Sequence, residues 1–181
     1  VFDGTKEEPY VEDDSTNPLS VYGKSKLLGE THVAECAERF LIIRSSWLFG
    51  QHGRSFVGVI SERAQVEPVL KVVTDQIGCP TFTQDLADAI AHLLRSRQDC
   101  FQPRILHIAN TQPVSWFDFS KVILDFQEGP HPELIPITSD ELDRPAKRPR
   151  NSVLSTKRLV ELFDLKMRSW QQALQEYLAY L

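Results

Sequence analysis

The sequence predicts an α/β fold, and three observations carry the prediction. Short apolar runs that read as buried strands, Phe40-Leu-Ile-Ile43 and Arg104-Ile-Leu-His-Ile-Ala109, alternate with stretches of helical periodicity. The first run turns polar at Arg44-Ser-Ser46, at the carboxyl end of its strand, where open α/β sheets hold their ligands. The 181 residues, 41% apolar and 25% charged, suffice for a sizeable core.

Residues 1–19 read as a strand end and a polar loop rich in acidic residues and proline. A helix follows from about Val21 to Ala37, with Leu27, Leu28, Ala34 and Ala37 as an apolar stripe. Phe40–Ile43 is then a strand buried on both faces. Ser55 to Gln65 reads as a helix, Val69 to Thr74 as a strand, and Asp75 to Pro80 as a loop turned by Gly78 and Pro80. A helix over Thr83–Arg95 and a buried strand over Arg104–Ala109 come next. Ser115 and Asp118, at capping-box spacing, open a helix that runs to Phe126. After the Gly129-Pro-His-Pro132 loop, Leu134-Ile-Pro-Ile-Thr138 is a short edge strand, since Pro136 cannot donate to a ladder. Ser155 and Ser169 are the predicted N-caps of two closing helices.

The chemistry concentrates at Asn17-Pro-Leu-Ser-Val-Tyr22-Gly-Lys-Ser-Lys26-Leu-Leu-Gly-Glu30. Tyr22 and Lys26 stand four apart on one helix face, with Lys24 turned away. An ammonium beside a phenol favours the phenolate, which makes a proton donor or acceptor near neutral pH. Tyr-x-x-x-Lys is the catalytic pair of the short-chain dehydrogenase/reductase superfamily. The bare spacing also arises by chance, as an aromatic-to-lysine contact on a solvated face. Lys26 and Glu30 are a second i,i+4 pair, and an ion pair between them would occupy the lysine.

The flanks decide between these readings. Val1-Phe-Asp-Gly-Thr5, Pro9-Tyr10, Glu12 and the Asn17–Glu30 stretch resemble the dTDP-4-dehydrorhamnose reductase family. Arg44-Ser-Ser-Trp-Leu-Phe-Gly50, Asp75-Gln-Ile-Gly-Cys-Pro-Thr81, Asp85-Leu-Ala87, Ser115-Trp116 and Arg148-Pro-Arg-Asn-Ser152 match it in the same order. The resemblance implies the C-terminal part of a Rossmann-like NAD(P)-binding fold with an interleaved small substrate-binding domain. Residues 1–54 would end the nucleotide-binding domain, and 55–181 would mainly form the substrate domain, with 104–126 returning to the Rossmann sheet.

The resemblance also implies roles. Tyr22 would protonate the C4 oxygen of a keto-sugar as hydride arrives, and Lys26 would bind the nicotinamide ribose. Ser45 and Ser46 would reach the cofactor amide or the sugar, or else only cap the strand end; Ser46 is the cofactor-binding candidate. Trp47 would be a flat wall against sugar or thymine, facing the site and not the core. Gln76 would touch the nucleotide-sugar from a loop that is otherwise scaffolding. Arg144, Lys147, Arg148 and Arg150 form a basic cluster, which suits a diphosphate as well as a solvated surface; Arg148 is the substrate-binding candidate. Some members carry an acidic residue just after the Pro-Thr of the loop, at a metal-linked dimer contact. Gln84, a poor ligand for a hard cation, stands there, so no metal is expected.

NADPH is the implied cofactor, with NADH the other candidate, and a dTDP-sugar the implied partner; a homodimer is compatible. Two other readings stay open. The methionine adenosyltransferase regulatory β-subunit looks similar across this region, although Trp47 and the Asp75-Gln76 loop favour the reductase. Related nucleotide-sugar epimerases or dehydratases need an acidic pair beside an upstream hydroxyl residue. No G-x-G-x-x-G or G-x-x-G-x-x-G occurs among the eight scattered glycines, so the chain reads as lacking the pyrophosphate-cradling turn and the upstream Ser/Thr of the family.

A net charge of −5 argues against generic nucleic-acid binding. No apolar run approaches the roughly 20 residues of a membrane span. Cys36, Cys79 and Cys100 show no metal-ligand spacing and read as reduced thiols of a cytoplasmic protein. On this reading, residues 1–181 alone bind NADPH very weakly, show no reductase activity and self-associate through unpaired strand edges. Calorimetry with NADPH and light scattering check this; micromolar binding by a monodisperse monomer would overturn it.

Overall fold

Strands meet in pairs. In the computed structural model, which describes residues 1–96, 99–102, 104–142 and 146–179, β1 (Ile42–Arg44) lies parallel to β6 (Ile105–His107), with Ile43 opposite Leu106. β2 (Leu48–Phe49) runs parallel to β5 (Thr81–Phe82), and β3 (Val69–Val73) parallel to β8 (Glu133–Ile137). The antiparallel pair is β4 (Ile77–Gly78) with β7 (Val114–Ser115). The helices are α1 (Val21–Cys36), α2 (Phe56–Ala64), α3 (Thr83–Arg95), α4 (Trp116–Asp125), α5 (Lys157–Phe163) and α6 (Trp170–Leu178). Parallel strands joined by helical crossovers make this an α/β protein, as the alternation predicts. No helix among the described residues is long and apolar enough to cross a membrane.

Local chemistry sets the boundaries. Ser20, Ser55, Ser115 and Ser169 each cap a helix by accepting a backbone N–H three residues on. At Ser169 the box closes, because Gln172 reaches back to the cap. At Ser115 it does not: the Asp118 carboxylate takes the Ser115 hydroxyl proton at 2.8 Å instead. Ser155 is one residue early for its helix; it accepts from Lys157 N–H at 3.4 Å, while Thr156 holds the N-cap position without a side-chain bond. The predicted Asp75–Pro80 loop contains β4, since Ile77 and Gly78 pair with Ser115 and Val114. Pro136 sits in β8 opposite Val72, a position that its missing N–H allows at a sheet edge.

Burial falls into two main clusters. Phe49, Val57, Ile60, Leu70, Phe82, Phe119, Ile123, Trp170 and Leu174 join α2, α4 and α6 to β3 and β5. Ala89, Leu93, Leu106, Ile108, Leu159 and Phe163 join α3 and α5 to β6, with Leu41 and Ile43 partly buried against them. Two sequence expectations change here. The strand after Phe40 is only half-buried, because among the described residues β6 is its one neighbouring strand and the second cluster covers one face. The apolar stripe of α1 is not buried: no residue of that helix is, and Leu28 and Val33 are exposed.

A polar knot links the clusters. Arg168 donates to both Asp85 oxygens at 2.9 and 2.7 Å and to Glu176 at 2.5 Å. Asn110 donates to Asp85 at 2.7 Å and accepts from Phe82 N–H at 2.8 Å. These bonds fix the start of α3 against β6 and α6.

His107 is the buried titratable group of β6, with 0% of its surface exposed. Its Nδ1 lies 3.2 Å from the Tyr10 carbonyl, and its buried Nε2 has no hydrogen-bond partner among the described residues. Burial, helped by the nearby Arg44 charge, lowers its pKa to about 4 from the usual 6.5. The folded protein therefore keeps this ring neutral, while the unfolded chain takes up a proton as pH falls below 6.5. The stabilisation is complete above 6.5 and is lost as pH falls toward 4. Urea unfolding is expected to show about 3 kcal/mol less stability at pH 4 than at pH 7 from this group, and His107→Gln to flatten that part of the profile.

Candidate functional site

The helix that carries the Tyr-Lys pair is held mainly by one fork. Arg44, at the end of β1, donates from Nε to Glu30 Oε1 at 2.9 Å and from its terminal nitrogen to Oε2 at 2.7 Å. Both side chains are largely buried, and the guanidinium lies over the Phe2 ring, 5.2 Å from its centroid. Phe2 in turn stacks on Tyr10 at 4.2 Å. Glu30 is thus committed to Arg44. Lys26 makes no ion pair among the described residues, and its Nζ lies 5.3 Å from the centroid of the Tyr22 ring. Tyr22 is 69% exposed, so its hydroxyl is open to a ligand.

The strand end beyond Arg44 presents Ser45, Ser46 and Trp47. Ser46 donates its hydroxyl proton to the Cys79 carbonyl at 2.8 Å, which leaves the oxygen only as an acceptor. Ser45 Oγ is buried without a hydrogen-bond partner among the described residues. Trp47 holds a left-handed backbone, with φ of 50°, strained for a non-glycine residue. Its indole stacks on that of Trp116, with ring centroids 3.5 Å apart and planes 7° apart, and Trp116 leans on Phe56.

A separate open cleft of about 1140 Å³ contains Gln76 and Arg148. Its walls are the 3–7 loop, Asp75–Ile77, the segment after β8, and Lys147–Asn151; Leu19, just before α1, also lines it. The walls are laced by polar side chains. Asp75 accepts from the Ser139 N–H at 2.9 Å and hydroxyl at 2.7 Å, and Gln76 donates to Ser139 Oγ at 2.9 Å. Asn151 donates to the carbonyls of Lys6, Glu7 and Glu8 at 2.8–3.2 Å. Asp3 accepts from Thr5 N–H and Oγ, Asn17 and Tyr10, and those donors, Thr5 first, hold its carboxyl down at about 2. Gly4, with φ of 78°, passes so close to Pro149 that a Cβ would lie 2.5 Å from the proline Cβ. Lys147, Arg148 and Arg150 line the cleft and make no ion pair among the described residues. Arg144, the fourth member of that basic run, lies outside the described residues.

The structure therefore brings Gln76 and Arg148 together and keeps Tyr22 with Lys26, while Tyr22, Lys26, Ser46 and Trp47 are not in the cleft wall. Asp75 holds Ser139, not the backbone of its own loop, and also lines the cleft. Gln84 donates to Asp88 along α3 at 3.1 Å. Sequence reasoning missed Arg44 as the partner of Glu30, the role of Asn151 and the pairing of Trp116 with Trp47. Arg44, Trp116 and Asn151 stand inside the quoted motifs, which was the available signal.

The chain matches the family described as RmlD substrate binding domain over residues 1–181. It is 38% identical to a spore coat polysaccharide biosynthesis protein of Bacillus subtilis, covering 98% of this chain and 60% of that one. It is 36% identical to a dTDP-4-dehydrorhamnose reductase of Burkholderia thailandensis, covering 96% and 62%. Among solved structures, a dTDP-4-dehydrorhamnose reductase from Bacillus anthracis in complex with NADP superposes with a TM-score of 0.91 at 31% identity, covering 100% of this chain and 63% of that one. The chain thus spans about 60% of the length of the curated relatives it matches. A UDP-glucuronic acid 4-epimerase from Bacillus cereus, 18% identical with a TM-score of 0.76, shares the fold.

Glu30→Ala is expected to cost about 3 kcal/mol in urea unfolding, the lower end for breaking a buried ion pair. A loss below about 1 kcal/mol would show that the fork behaves as a surface pair.

Proposed function

This chain belongs to the RmlD substrate binding domain family, and from that membership we propose that the protein carrying it reduces dTDP-4-dehydro-L-rhamnose to dTDP-L-rhamnose with NADPH. The observation that carries the reading is the state of Lys26. With Glu30 committed to Arg44, the Lys26 ammonium is left over the Tyr22 ring on an exposed helix face. An i,i+4 ion pair to Glu30 would have argued against catalysis, and Arg44 removes it.

The residues fit a nicotinamide nucleotide. Lys26 has ammonium donors free for ribose hydroxyls, and Ser46 offers an acceptor oxygen to a carboxamide N–H. When bound, the cofactor supplies the hydride that goes to C4 of the keto-sugar. Tyr22 gives its phenolic proton to the C4 oxygen, and Lys26 stabilises the phenolate that remains. Gln76, whose nitrogen is held by Ser139, turns its oxygen to the nucleotide-sugar, and Arg148 takes the diphosphate with its guanidinium. Trp47, outside the cleft wall, contacts the substrate from beyond the end of β1.

In this reading residues 1–54 end the nucleotide-binding domain and 55–181 mainly form the substrate domain, with 104–126 returning to the first. The β1–β6 pairing supports the return of 105–107; α4, clustered with α2 and β3, speaks for keeping 116–125 on the substrate side. A cytoplasmic setting suits the three free cysteines, two of them buried.

Tyr22→Phe, measured in the protein carrying this chain, is expected to cut turnover at least about 100-fold, the scale of general-acid catalysis, with unfolding unchanged. Near-normal kcat in that variant would sink the assignment.

A further inference from the structure

Trp47 has little aromatic face left to offer. One face lies against Trp116, parallel to within 7° at a centroid distance of 3.5 Å. A Cβ built on Gly78 would stand 2.5 Å from Trp47 Cε2 and 2.8 Å from Nε1 and Cζ2. With the ring-fusion carbon nearest, the glycine lies over the ring and not at its rim, so the backbone of β4 covers the other face. The indole is gripped between a glycine and a second indole, and Phe56 backs that second ring at 4.2 Å. Its rim is different. Trp47 Nε1–H has no hydrogen-bond partner among the described residues, yet it is not sealed off as the buried, unpartnered indole nitrogen of Trp170 is.

We infer that Trp47 meets the nucleotide-sugar by its edge, as an Nε1–H donor to an acceptor oxygen, and that Trp116 is the positioning residue that aims it. The inference rests on the reductase reading for the identity of the ligand; the stack itself does not. A flat wall against sugar or thymine needs a free ring face, and both faces are occupied. A fixed donor needs a ring that cannot swing. The left-handed backbone at Trp47 turns the side chain out of the β1 direction, and the sandwich holds it there. Gly78 is then required for space: any side chain at that position would displace the indole.

Edge and face are separated by Trp47→Phe, which keeps an aromatic plane and deletes the donor. Steady-state kinetics with dTDP-4-dehydro-L-rhamnose and NADPH is expected to show KM for the sugar nucleotide raised about tenfold in Trp47→Phe, the loss of one net hydrogen bond, and raised as much in Trp47→Leu, with kcat nearly kept. Trp116→Leu is expected to raise KM in the same way, and Trp116→Phe, which preserves a stacking plane, to restore it. Circular dichroism in the indole bands should show an exciton couplet in the wild type that disappears in each variant lacking one tryptophan, with urea unfolding confirming that the Phe variants are folded. Normal KM in Trp47→Phe with a raised KM in Trp47→Leu would restore the face reading and overturn the inference. A fall in kcat at unchanged KM in Trp116→Leu, or no couplet in the wild type, would overturn it as well. A wild-type protein that folds and shows the couplet but neither turns over the sugar nor binds dTDP by calorimetry overturns the reductase reading, and with it the ligand assigned to the Trp47 donor.

Discussion

The Arg44–Glu30 fork is the contact on which the arrangement of this protein turns. It is the strong side-chain tie between the helix that bears Tyr22 and Lys26 and the strand that delivers Ser46 and Trp47. Bidentate geometry matters here, because a guanidinium that grips both carboxylate oxygens fixes direction as well as distance. Glu30 sits one turn beyond Lys26, so the same bond that anchors the helix also leaves the lysine without its nearest acid. Phe2, stacked on Tyr10 and capped by the guanidinium, keeps water from loosening the pair.

The cleft is organised on a different principle. Its walls come from several separate chain segments, mostly outside the apolar clusters. Side-chain amides and carboxylates replace packing: Asn151 bonds to three successive carbonyls, Asp75 and Gln76 converge on Ser139, and Asp3 collects the donors of its loop. Such walls keep their shape while remaining polar, which suits a ligand with charged and hydroxylated parts. Lys147, Arg148 and Arg150, without an ion pair among the described residues, line the cleft together with Asp3, Glu7, Asp75 and Asp140.

Local elements were legible in the sequence because their determinants are local. α3 has the bounds that its periodicity predicts, and Ser115 and Ser169 cap their helices as their positions require, while Ser155 stands one residue before its cap. Burial was less legible. The stripe on α1 looks ready for a core, yet whether a stripe is covered depends on what stands beside it, and periodicity carries no record of that. Gln76 and Arg148, singled out through the family's motifs, both line the cleft. The Trp47–Trp116 stack, the hold of Asn151 on residues 6–8 and the diversion of Glu30 to Arg44 are long-range pairings. Both partners stand in plain view in the chain, but nothing in local spacing says that they meet.

The exposure of α1 has a consequence for how the chain can change. Within residues 1–181, α1 packs into neither apolar cluster, so it opens at a free energy set by its own turns, its Ser20 cap and the largely buried Glu30–Arg44 pair. In amide-exchange terms it is a unit apart, able to fray and re-form while the rest stays native. Substitutions along its exposed face fall on local opening and leave global unfolding nearly untouched. Within residues 1–181, the surroundings of Tyr22 and Lys26 thus lie outside the two apolar clusters that carry global stability.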